Sequence, residues 1–183
     1  MFSKKCLVLF VFVLLLMTIT GCASSIRGFS TYDGKPLDST TQSTEQEKRE
    51  YLTILKEKAL DHVSVSTLDI ETMTMAKEVF VKLKNLDAVT DMGVNYEDYP
   101  IYVRNACFEI DRFVTHCGKQ HRHLSLAFRL CLVPYVKAQH HFNEIIQSQP
   151  RTLYRDEHRF YLKACWNVGK EAIAMVGKQL QLQ

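Results

Sequence analysis

Six cysteines and seven histidines are the residues of this 183-residue chain best suited to chemistry. Cys6 and Cys22 stand near the front; Cys107, Cys117, Cys131 and Cys165 are spread over the second half. Cys107 and Cys117 share one helical segment at a separation of about 15 Å along its axis, too far to pair. If the segments are helices joined by short turns, reflecting the chain about a turn near residue 119 sets Cys107 level with Cys131. A turn near 149 sets Cys131 level with Cys165. In an oxidising compartment the favoured bridge is Cys107–Cys131, with Cys131–Cys165 as the alternative. Buried thiols acting as small hydrophobes are the plain alternative to both.

The same reflection gathers His116, His121 and His123 at one turn and His140, His141 and His158 at the next. It sets His140 level with His158 and His141 level with Glu157. His140, His158 and Glu157 therefore offer a two-histidine, one-carboxylate metal set. Paired surface histidines are common, however, and His121 and His123 point to different helix faces. Met73, Met75 and Met92 invite a haem-bundle reading, but no CxxCH is present, and methionines at helical spacing are ordinarily core. No Gly-x-Ser-x-Gly, phosphate loop, HExxH or catalytic carboxylate pair occurs. Asp156 and Glu157 beside Arg155 and Arg159 read as a solvated charged face. The chain is therefore not expected to be an enzyme, and no cofactor is expected.

The elements that must position these residues are helices. Only 7 Gly and 4 Pro are present, which disfavours a many-stranded sheet. A helix is expected from residue 45, with capping-box spacing at Ser43 and Gln46 or Thr44 and Glu47, and a stripe at Leu52, Leu55, Ala59 and Val63. Ser64–Thr67 break it. The second helix carries Ile70, Met73, Phe80, Leu83 and Leu86 and stops at Gly93. Pro100 suits the first turn of a third, with Val103, Cys107, Ile110, Val114 and Cys117 inward. The fourth, about 120–148, is apolar nearly all round from Leu124 to Val136, so it should be central. Pro134 should kink it by removing the partner of the Leu130 carbonyl. Pro150 opens a fifth, with Tyr154, Tyr161, Cys165, Val168 and Ala172 inward. The expectation is an all-α bundle of about five antiparallel helices over 45–183.

The front of the chain is different. Lys4 and Lys5 precede an apolar run from Cys6 to Met17 that fits a signal h-region of about 7–15 residues. It is short for a membrane span, which needs about 20. The run ends in Ile19-Thr20-Gly21-Cys22, which resembles the lipobox of bacterial lipoproteins. The resemblance covers residues 1–22, and Ile at the first lipobox position is less usual than Leu. It implies that residues 1–21 are a cleaved signal peptide and that Cys22 receives diacylglycerol on sulfur and an acyl chain on its new amino terminus. Each buried methylene adds about 0.8 kcal/mol, and more than one chain is needed for firm anchoring. Ala23 and Ser24 follow the cysteine. With no Asp there, the resemblance implies the outer membrane, facing the periplasm.

Residues 22–44 are rich in Ser, Thr and Gly with no apolar period, and read as a flexible tether spanning about 25 Å. Loss of Lys4 and Lys5 with the leader lowers the formal charge from +3 to +1, so no nucleic-acid partner is expected. The expected partners are the membrane, through Cys22, and an envelope protein. The expected role is an envelope interaction or assembly module; the alternative is a lipid-anchored metal- or haem-binding bundle.

Overall fold

A computed structural model describes residues 37–147 and 153–182, with no side-chain description for 37–43 and 153–154. The expected signal peptide, Cys22 and residues 23–36 lie outside the described residues. Asp38–Gln183 form one compact unit. Its described part is all-α: α1 (Leu37–Lys58), α2 (Ile70–Met92), α3 (Tyr99–Cys117), α4 (Arg122–Gln147) and α5 (Leu153–Leu180). Two short 3-10 turns, Leu60–His62 and Val65–Thr67, join α1 to α2. No strand occurs among the described residues.

The helix ends follow from local chemistry. The Asp69 carboxylate accepts the Thr72 backbone N–H at 2.6 Å and caps α2. This bond holds the Asp69 carboxyl below its ordinary pKa. At the other end Gly93 adopts φ 83°, a left-handed conformation that a side chain disfavours. Pro100 sits in the first turn of α3, where its missing N–H costs nothing. At the start of α1 the structure differs from the sequence reading. The helix begins at Leu37, not 45, so residues 37–44 of the expected tether are helical. Ser43 and Thr44 therefore lie inside α1 and not at its start. Charged and long side chains after them propagate a helix that Ser and Thr need not terminate.

α4 is the central element and packs against α2, α3 and α5. Leu124, Ala127, Phe128, Cys131, Tyr135 and Ala138 are completely or almost completely buried along it. Phe128 meets Phe113 of α3 edge to face, with centroids 5.2 Å apart. Tyr99 with Tyr135 and Phe113 with Phe128 pair α3 and α4 in opposite chain order, as Tyr135 with Gly169 and His141 with His158 pair α4 and α5, so the three run successively antiparallel. α1 joins through buried Leu55, with buried Ala59 just past its end, and through a Lys48–Glu171 ion pair at 2.6 Å.

Two expected stripes hold in part: Phe80, Leu83 and Leu86 of α2 and Ala172 of α5 face in as expected, while other positions differ. In α2 the inward residues are Thr72, Met75, Ala76, Val79, Phe80, Leu83, Leu86, Asp87 and Thr90, while Ile70 is exposed. In α5 Leu162, Gly169, Ala172, Ile173, Val176 and Leu180 face in, and Tyr161, Cys165 and Val168 flank them half-buried.

Candidate functional site

The side chains that could act chemically are arranged around α4. Pro134 lies within this helix, and α4 continues through it from Arg122 to Gln147. Proline has no N–H for the Leu130 carbonyl four residues earlier. That carbonyl instead accepts a hydrogen bond from the Tyr51 hydroxyl of α1. One turn on, the Tyr135 carbonyl accepts the Tyr99 hydroxyl at 2.9 Å. The Trp166 indole N–H donates to that Tyr99 hydroxyl at 3.0 Å. The Tyr135 hydroxyl donates to the buried Asp87 carboxylate at 2.9 Å. Burial raises the pKa of Tyr51, Tyr99 and Tyr135, so all three remain neutral donors. The network satisfies polar groups inside the bundle and ties α1, α2, α3 and α5 to the central helix.

All four cysteines among the described residues are free thiols. The Cys107–Cys131 bridge expected from sequence is not formed, and neither is Cys131–Cys165. For Cys107 and Cys131 the obstacle is azimuth. The Cys107 thiol donates to the Asp111 carboxylate at 3.7 Å and faces the Arg129 side of α4. Cys131 is fully buried and faces Tyr51, which also lies near Cys165. Arg129 and Cys131 are about 200° apart around a helix, so Cys107 and Cys131 occupy different sides of α4. Cys117 rests against Met75 and receives the Thr72 hydroxyl. Burial pushes the Cys165 thiol up to about 11 and raises those of Cys107 and Cys131. These three are protonated at neutral pH and are therefore poor nucleophiles and poor metal ligands.

The metal set expected from sequence is not assembled either. His158 meets His141, not His140: their Nδ1 atoms are 2.9 Å apart across the α4–α5 interface. His140 is one residue further round α4, on its exposed side, with its ring 5.7 Å from that of His141. The charge of Glu157 acts on His158. Among the described residues no group of three His, Cys, Asp or Glu side chains is placed to hold a metal ion. Burial, followed by the charges of His158 and His140, lowers the His141 pKa to about 4. Burial also lowers that of His158.

Beside this pair lies an aromatic cluster. Phe142 sits edge-on to Tyr99 at 5.7 Å and to Trp166 at 6.2 Å, and Tyr96 sits edge-on to Phe142 at 5.9 Å. Sequence reading places Trp166 beside the inner face but does not connect it to Tyr99. Nor does it find Tyr51, although Pro134 names the carbonyl that needs a donor.

No helix of the described residues is long and apolar enough to cross a membrane. Compared with known protein families, characterised proteins and solved structures, the chain matches none of them.

Proposed function

We propose that this chain is a bacterial lipoprotein whose lipidated Cys22 holds a helical interaction module at the outer membrane, facing the periplasm. The observation that carries the reading is the ordered run of Lys4-Lys5, an apolar stretch and Ile19-Thr20-Gly21-Cys22. The module docks onto an envelope protein and does no catalysis of its own. Support for this half comes from the side chains. The buried tyrosines and Asp87 are engaged with one another and with backbone carbonyls. Outside, Ile101 and Phe108 lie seven residues apart along α3 and are 50% and 66% exposed. Apolar side chains of this size on one outer face suit a protein partner.

A photo-crosslinking residue in place of Phe108, introduced in intact cells, tests the docking. One reproducible envelope-protein adduct is expected, and Ile101→Asp should remove it while leaving the thermal unfolding midpoint in place. Adducts scattered over unrelated proteins would contradict the reading. So would a stoichiometric metal or a haem absorption band in the purified full-length protein.

A further inference from the structure

His141 and His158 meet head to head. With Nδ1 atoms 2.9 Å apart and ring centroids 5.1 Å apart, the two nitrogens lie between the rings and face each other. One must donate and the other accept, so the bond exists only while at least one of these nitrogens is unprotonated. The lone pairs aim at one another and not at a common third point. That is the geometry of a shared proton, not of a chelated ion. His141 is further fixed by stacking on Tyr161, with centroids 5.5 Å apart and planes 21° apart. The next residue, Phe142, belongs to the aromatic cluster with Tyr99 and Trp166. Loss of the histidine bond thus frees the segment of α4 that carries one wall of that cluster.

We propose that the His141–His158 bond is an acid-released latch between α4 and α5: closed at neutral pH, and opened when both imidazoles carry a proton. The groups facing it are Lys137, His140 and Glu144 on α4 and Glu157 and Tyr161 on α5. The carboxylates of Glu144 and Glu157 can balance one added proton. A second places two like charges at bonding distance, with Lys137 and His140 opposing it as well. The direction of the response follows from linkage. Both histidines have folded pKa values below the ordinary value of 6.5, that of His141 at about 4. The unfolded or opened chain therefore binds more protons in this interval, and the closed state loses stability as pH falls from about 6.5 towards about 4. The latch stands on the described residues alone and does not depend on the anchor.

Trp166 is the single tryptophan of the chain, so its emission reports one place in the fold. The full-length protein is titrated from about pH 8 to about pH 4 while Trp166 emission is recorded. The wild type is expected to shift to longer wavelength between about pH 6.5 and pH 4, with the amplitude at least halved in His158→Gln and in His141→Gln. His123→Gln, which alters the His62–His123 pair at the other end of α4, should keep the full transition. The same transition in all variants, or none in the wild type, overturns the latch. Histidine nitrogen NMR on the wild type decides the matter should a variant fail to fold. Both His141 and His158 should titrate below the ordinary histidine range, and independent titration of the two at ordinary values overturns it.

Discussion

Tyr51 illustrates how a single residue can matter through backbone chemistry alone. Its hydroxyl occupies the Leu130 carbonyl left open by Pro134. Tyr51→Phe should destabilise the protein by about 1–3 kcal/mol in denaturant unfolding, because a buried acceptor loses its donor. In a Pro134→Ala background the loss should shrink, since an alanine at that position would supply the N–H; the double-mutant cycle measures that coupling. Gly169 presents the opposite case. A Cβ there would lie 2.3 Å from Cε2 of Tyr135, a fully buried ring fixed by Asp87. Overpacking costs about 1–3 kcal/mol, against about 1 kcal/mol gained from alanine's helix propensity. Gly169→Ala should therefore lower the unfolding midpoint. The thiols give a further prediction. Alkylation of the native protein near neutral pH should label Cys107 first and Cys131 last, following their burial. Non-reducing mass mapping should recover all four free, and a Cys107–Cys131 peptide would contradict the structure.

At the level of the element, the legible features were those with a covalent cause. Gly93 and Pro100 marked a helix end and a helix start, and the apolar circumference of 124–136 marked the central helix. The stripes were less legible where the buried side chain is not apolar. Phe80, Leu83 and Leu86 were legible in α2, but Thr72, Asp87 and Thr90 also lie inside it, and their polarity kept them out of the expected stripe. Gly169 has no side chain to announce that it faces the core. Reflection about the turns placed His158 level with the 140–141 pair, where it meets His141. It carried no information on azimuth, so it chose His140 where His141 makes the contact, and a bridge where α4 separates two thiols. A helix rotates about 100° per residue, and one residue is enough to exchange partners.

For the whole molecule, the all-α bundle was readable in the sequence because periodicity, few glycines and short turns agreed. The partner was not, because binding surfaces leave no periodic signal. What remains to unite the molecule is the relation between its helical unit and the sequence around Cys22. The proposed anchor requires that Cys22 carry lipid. Metabolic labelling with a radioactive or clickable fatty acid, comparing wild type with Cys22→Ser in the same cells, tests this most directly. A labelled wild-type band of processed size is expected in the membrane fraction, with an unlabelled, unprocessed Cys22→Ser band. Label retained by Cys22→Ser, or absent from the wild type, would contradict it.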